Sequence, residues 1–427
     1  MNFAERMQVL ELTGHNLDIV PGKHIELDLQ TDSLMHQSLS VVGYESSPKQ
    51  GSESVNPEQI FSKNFGFPYV MAVSQGRLAE AILSHAIIRN GHYIPGSALF
   101  PTTRIHQERN GGTSVEVMCS ESLDITSSYP FKGNIDVNAL ERAINTYHST
   151  WIPYICIEPC NNAVGGHPMS LENMRSVAEL ARHYQIPIYL DACRIVDNAL
   201  MIQERELGYQ NTPVDEIIRE FCSYAEGCTM SATKDFPTPI GGFLAVRDPK
   251  LFHRCLDYLI LFGAGLSCNG KEIIARAIID MDRVYSLVRR RINLVKKLHS
   301  TLENHQNLVQ PAGGHGVFIN ISAEDLDIPD THHPAQAFLY QLFKDYGIRG
   351  SLNPSSPTQI ANKICLVRFA IPILGLEEQA IDKTADGISN LLTAKNTIQG
   401  LKLVDKGSGL TGFLRAQYQP MDRVSIN

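Results

Sequence analysis

The run Ile188-Tyr189-Leu190-Asp191 constrains the fold most: it is apolar, too short for a helix, and closed by an acid. Such a run reads as a buried strand. Leu171–His183, just before it, has helical periodicity, and the same alternation recurs as far as Gly270. Tyr69–Ser74 reads as a strand and Gly76–Ile88 as a helix with Ala79, Ile82, Leu83 and Ala86 on one face. Ile152–Glu158 and Phe243–Val246 read as further strands. Alternating strands and helices predict an α/β chain whose mostly parallel sheet carries helices on both sides. Beyond Gly270 the pattern becomes a nearly continuous helix over Ile273–Leu302, then short strands around Gly316–Ile321 and Ile364–Ala370. That shift predicts a smaller α+β domain, and 427 residues suffice for one large core and a smaller one. Polar Ser46–Asn56 reads as a loop, and His332-His333-Pro334 as a loop leading into a helix.

Composition narrows the partners. The balance of 37 basic against 45 acidic residues, without a long basic run, argues against nucleic acid. The nine cysteines show no CxxC pair, which predicts free thiols in a reducing cytoplasm. No apolar window is long enough to span a membrane, and the first residues lack a signal peptide's apolar stretch. His15, His85, His106, His183 and His315 are scattered, so no metal site is expected from them.

The chemistry centres on Lys234, in Ser231-Ala232-Thr233-Lys234-Asp235, with Gly241-Gly242 following. An acid at a strand end (Asp191) followed by a lysine on a later strand or turn is the order that pyridoxal phosphate (PLP) enzymes need. The lysine forms a Schiff base with the cofactor aldehyde, and the carboxylate keeps the pyridinium nitrogen protonated so that the ring accepts electrons.

Ser74-Gln75-Gly76-Arg77 lies where a strand turns into a helix. Open N–H groups there, with no side chain at Gly76, make an anion site for the cofactor phosphate, and an ordinary helix start with a Ser cap is the alternative. Ser231 offers a second hydroxyl. Asn162 follows the Ile152–Glu158 strand, where ligands collect in such sheets. It either hydrogen-bonds the cofactor's phenolate oxygen or shapes a turn with Asn161.

These residues together resemble the tryptophanase and tyrosine phenol-lyase family of β-eliminating lyases. The resemblance runs from about Ile25 to the C-terminal region. It is carried by Ser74 to Arg77, Phe131 to Asp136, Asn162 to Asn173, Leu190 to Asn198, Tyr224 to Gly242, Gly313-Gly314-His315 and Leu366 to Pro372. It implies an aspartate-aminotransferase-like, fold type I architecture: a large domain with a mostly parallel seven-stranded sheet, plus a smaller α+β domain. The expected divisions are an N-terminal segment (1–45) packing with the small domain and a neighbouring subunit, a cofactor-binding domain (46–280) and a C-terminal domain (281–427).

Residue by residue, the resemblance makes Lys234 the Schiff-base lysine and Asp191 the partner of the pyridinium nitrogen. Arg194 and Asn162 fall near the phenolate oxygen. Gln75, Gly76, Arg77 and Ser231 form the phosphate cradle, and Phe100 stacks on the ring. Arg368 grips the substrate α-carboxylate, a task suited to a planar fork, and Thr31 adds a hydroxyl. It also implies a homotetramer with shared sites and a monovalent cation, K+, whose ligand positions fall in the loop before Asn56 and near Pro239.

Several positions depart from the family. The lysine before the Schiff-base lysine is Thr233. The residue after the stacking aromatic, threonine in phenol-lyases and aspartate in tryptophanases, is Pro101. Asn353 stands where phenol-lyases place an arginine, and Gly412-Phe413 where the family pairs aromatics over the substrate. The family's catalytic tyrosine aligns with Lys49, with Tyr44 nearby. The amino-acid end of the site is thus retained and the side-chain end remodelled. The expectation is a PLP-dependent lyase that takes the α-proton of an L-α-amino acid and eliminates a β-substituent, with neither tyrosine nor tryptophan as substrate. An aminotransferase, a retro-aldolase, a β-replacement enzyme and a non-catalytic cofactor-binding homologue are the alternatives.

Overall fold

The computed structural model describes residues 1–36, 56–409 and 412–421. Seven strands build its main sheet: β1 (Tyr69–Val73), β2 (Tyr93–Gly96), β3 (Thr113–Glu116), β4 (Ile155–Ile157), β5 (Ile188–Asp191), β6 (Gly227–Ser231) and β7 (Gly242–Val246). They pair in the order β1-β7-β6-β5-β4-β2-β3, with β7 antiparallel to both neighbours and the other pairs parallel. Because β7 reverses twice, β1 runs in the same direction as β6. The carboxyl ends of β1, β2, β4, β5 and β6 therefore share one edge, where such sheets bind ligands.

The strand expected over Ile152–Glu158 narrows to β4, because Pro153 lacks a donor for the ladder and Glu158 turns its carboxylate to the amides of Phe100 and Asn162. The helix expected over Ile273–Leu302 is two helices, Cys268–Ile278 and Met281–Thr301. Asp280 separates them: it leaves helical geometry (φ −109, ψ 85) and its side chain caps the second helix at the Arg283 N–H. The 171–183 helix and β5 form with the bounds expected.

One face of the sheet packs Ile155, Leu190, Met230 and Phe243 into a large core with Phe61, Phe65 and Val284. The other packs Met71, Val73, Tyr154 and Leu244 against Ile82 and Leu83. A separate core joins Val9, Leu10, Leu17 and Leu29 to residues from Leu294 onward, around the sheet Gly316–Asn320, Leu366–Ala370 and Ser351–Leu352. The helix Met281–Thr301 serves both: Val284, Val288 and Ile292 enter the first core, and Val295 and Leu298 the second. The N-terminal segment is tied down by Leu27–Asp28, which pairs in parallel with Ile348–Arg349, while Arg349 donates to the Asp28 carboxylate at 2.6 Å.

Candidate active site

The shared strand edge puts many of the expected residues around one cavity of about 570 Å³. From the end of β1 come Gln75, Gly76 and Arg77; from the end of β6 come Ser231 and Lys234. Phe100, Arg194, Thr31, Arg368 and Phe413 line it as well. Asp191 closes β5, buried, its carboxylate accepting from the Cys193 N–H at 3.2 Å and the Thr103 hydroxyl at 3.4 Å.

At the cradle, Gln75 is the N-cap of Gly76–Ile87 and makes no side-chain cap. The Ser-cap alternative does not form, since Ser74 lies one residue outside. The helix start is left without a side-chain cap, which suits an anion. A Cβ at Gly76 would lie 2.8 Å from Ser231 Cα, and one at Gly242 would lie 2.7 Å from the Gly76 nitrogen. Only glycine lets the helix start, Ser231 and β7 meet this closely. A phosphate fits this corner, with Arg77 and the Ser231 hydroxyl beside it, so the donor set suits PLP.

Lys234 sits in the one-turn helix Ala232–Asp235, its Nζ 5.2 Å from the Phe100 ring centroid. Burial works against its charge, but the Cys193 thiol, Asp191 and Asp32 outweigh burial and Arg194, raising its pKa. Burial pushes the Cys193 thiol itself well up. Thr233, in place of the family's lysine, bonds the Ser33 hydroxyl at 2.7 Å and that of Ser231 at 3.1 Å.

Arg194 is committed to Asp32: its Nε and Nη2 reach the carboxylate at 2.7 and 3.0 Å, both residues buried. Burial alone would raise the Asp32 pKa, but Arg194 and its neighbours hold it well below the ordinary range. Two other buried acids go the opposite way. Burial and the nearby Asp191 push Glu80 up to about 8 and Glu158 up to about 7.

Asn162 is a junction behind the cavity. Its Oδ1 accepts from Arg368 Nη1 at 2.8 Å and faces His315 Nε2 at 3.1 Å, and its Nδ2 donates to Asn353 Oδ1 at 2.8 Å. With Oδ1 accepting, His315 carries its proton on Nε2. Asn353 returns its own amide to the Asn162 and Ala163 carbonyls, so it faces away from the cavity. Pro101 opens the helix Pro101–Arg109 beside the site, while Thr102 and not Pro101 lines the cavity. Pro239 lines the cavity too. Tyr44, Lys49 and the loop positions expected near K+ lie outside the described residues. Among the described residues no group of three His, Cys, Asp or Glu side chains could hold a metal ion, and no helix is long and apolar enough to cross a membrane.

A family model described as beta-eliminating lyase matches residues 31–376. The chain belongs to the beta-eliminating lyase family. This lyase is similar to the tyrosine phenol-lyase of Symbiobacterium thermophilum, at 35% identity over 97% of this chain and 94% of that protein. A tyrosine phenol-lyase of Nostoc punctiforme is 33% identical over 97% of this chain and 93% of its own length. Among solved structures, the Sphingomonas wittichii serine palmitoyltransferase matches with a TM-score of 0.63 at 12% identity, over 92% of this chain and 97% of that one. The Leishmania major threonine aldolase matches at 0.61 and 13% identity, over 86% and 99%. These likenesses show the fold, the fold type I architecture of PLP enzymes, and membership in the family makes the chain a PLP-dependent lyase.

Sequence reasoning left several residues of the beta-eliminating lyase site unassigned. Glu80 stands one helical turn after Gly76 and Glu158 directly follows β4, so both had a positional signal. His315 lies in a stretch that carries the resemblance but had no role, and Asp32 and Arg291 had no signal, because each reaches the site from a distant stretch.

Proposed function

We propose that the chain is a PLP-dependent lyase that removes the α-proton of an L-α-amino acid and eliminates its β-substituent, releasing pyruvate and ammonia. The observation that carries the reading is the convergence of Lys234, the Gly76 helix start and Arg368 on one cavity, with Asp191 buried at the end of β5. When bound, PLP supplies an aldehyde for the lysine and a pyridinium ring that accepts the electron pair left at Cα.

The chain's own residues do the rest. Gln75, Gly76, Arg77 and Ser231 hold the phosphate, and Phe100 covers one ring face. Asp191 holds a proton on the ring nitrogen. Arg368 grips the α-carboxylate with its planar fork; burial pushes its pKa down to about 10, which leaves it charged near neutrality. Lys234 Nζ, as the free amine, takes the Cα proton. Tyr44 or Lys49 is assigned the transfer of a proton to the leaving group.

The substrate differs from that of the phenol-lyase relatives. Asn353 spends its amide on Asn162 and Ala163, and Pro101 offers neither hydroxyl nor carboxylate to a side chain. The test is a panel of β-substituted amino acids assayed for pyruvate, with tyrosine and tryptophan included. Pyruvate from a member other than those two supports the reading. Efficient phenol release from tyrosine overturns the substrate assignment, and no pyruvate from any member overturns the elimination. The reading includes a homotetramer completing its sites between subunits; a monomer by light scattering would sink that part.

A further inference from the structure

Arg291 has no part in the chemistry above, yet its side chain is fully buried beside the site. It lies on Met281–Thr301, where that helix passes from one core to the other. Its Nη1 donates to the Lys234 carbonyl at 2.7 Å and stands 3.8 Å from the Asp32 carboxylate. Its Nη2 bonds Asp197, on the helix after Asp191, and reaches Asp235 at 3.4 Å. Asp235 in turn accepts from the Val196 N–H at 3.1 Å, and Asp32 holds Arg194.

We propose that Arg291 is the positioning residue of the Lys234 amine, locking the lysine turn to the segment that receives the substrate carboxylate. This rests on the reading of Lys234 as the group that moves the α-proton. A single helical turn such as Ala232–Asp235 does not hold its own geometry in isolation. Bonds from outside set its direction, and Arg291 supplies the one to the Lys234 carbonyl and shares Asp235 with the Val196 N–H. A planar guanidinium has donors for several partners at once, which a lysine ammonium does not match in geometry.

The other end of the lock is the stretch from Gln30 to Ser33. Gln30 gives its carbonyl to Arg368 Nη2 at 2.8 Å, Thr31 lines the cavity, and Asp32 faces Arg291. Ser33 reaches Thr233, the residue before the lysine. Two bridges therefore join the carboxylate grip to the amine: Asp32 through Arg291 to the Lys234 carbonyl, and Ser33 to Thr233. The distance from Cα to Nζ is set by this frame, and a displacement of about 1 Å in such a frame costs on the order of 10²-fold in rate.

The test uses the PLP-loaded full chain. Arg291→Lys keeps a charge among Asp32, Asp197 and Asp235 while removing the fork. It is expected to bind PLP, lower kcat per bound cofactor about 10–10²-fold with KM changed less than about 3-fold, and move the pH midpoint of the cofactor's visible absorbance. A variant with wild-type kcat per bound cofactor and wild-type midpoint overturns the proposal. If Arg291→Lys does not fold, Asp197→Asn is read instead: it keeps Arg291 but weakens its anchor. A shifted absorbance midpoint then supports the lock and an unchanged one overturns it. Should no amino acid give pyruvate with wild type, the proposed reaction fails, but the absorbance midpoint still decides the role of Arg291.

Discussion

Arg368 Nη1 donates to Asn162 Oδ1 at 2.8 Å, so the residue proposed to grip the substrate carboxylate is bonded to the one expected beside the cofactor's phenolate oxygen. Its other Nη donates to the Gln30 carbonyl, and its Nε reaches the Ser351 hydroxyl at 3.3 Å. The fork is thus held in plane by neutral acceptors, any of which a carboxylate outcompetes.

Arg368→Lys removes the fork and keeps the charge. A charge-assisted hydrogen bond contributes about 1.5–3 kcal/mol, so KM should rise roughly 10–10²-fold. Steady-state kinetics on the best amino acid check this, and visible absorbance of the bound cofactor should not change. An unaltered KM would remove Arg368 from the carboxylate site.

Lys234→Ala should lose the visible absorbance of lysine-bound pyridoxal and all pyruvate formation. In wild type the raised pKa of Lys234 leaves little free amine near neutrality. Below a raised lysine pKa the reactive amine grows with pH, so PLP uptake by protein stripped of cofactor should quicken from pH 7 to 9. Stopped-flow absorbance measures the rate; a rate that falls over that range contradicts the assignment.

Glu80 gives a pH effect on stability with a defined sign. Its folded pKa of about 8 exceeds the ordinary 4.5, so between those values the folded chain binds its proton more tightly than the unfolded one. The contribution is full below the ordinary value and is lost as pH rises through the folded one. The groups acting on it are Asp191, Thr102, Lys234 and Arg77. Urea unfolding of stripped wild type and Glu80→Gln from pH 5 to 8 should show wild type losing ground, on the order of 1 kcal/mol per pH unit. Parallel curves for the two proteins would rule this out.

Asn353→Ala leaves the Asn162 Nδ2 without the Asn353 Oδ1 acceptor, while the Ala163 carbonyl keeps its bond from Gln359. An unsatisfied buried polar group costs about 1–3 kcal/mol, which chemical denaturation should register. Because Asn353 faces away from the cavity, KM for the α-carboxylate should move little.

The strand-helix alternation and the ends of β5 and β6 were legible along the chain because each depends on a few neighbouring residues. Asp191, Lys234 and Gly76 announce themselves by strand ends and a glycine at a helix start. The break at Asp280 was not legible, since the residues on both sides keep helical periodicity and the carboxylate's choice to cap is made by packing. Alignment alone sets Asn353 where phenol-lyases place an arginine; its direction depends on Asn162, far away in sequence.

Local periodicity and short motifs encode the sheet and the family, and they mark Gly76, Asp191 and Lys234 as candidates for the cofactor site. Which charges meet is settled by packing. Asp32, Arg194, Asp197, Asp235 and Arg291 come from separate stretches, and burial makes each dependent on the others for a partner. Charges taken out of water must find one another across the fold, and no spacing along a chain records which ones do.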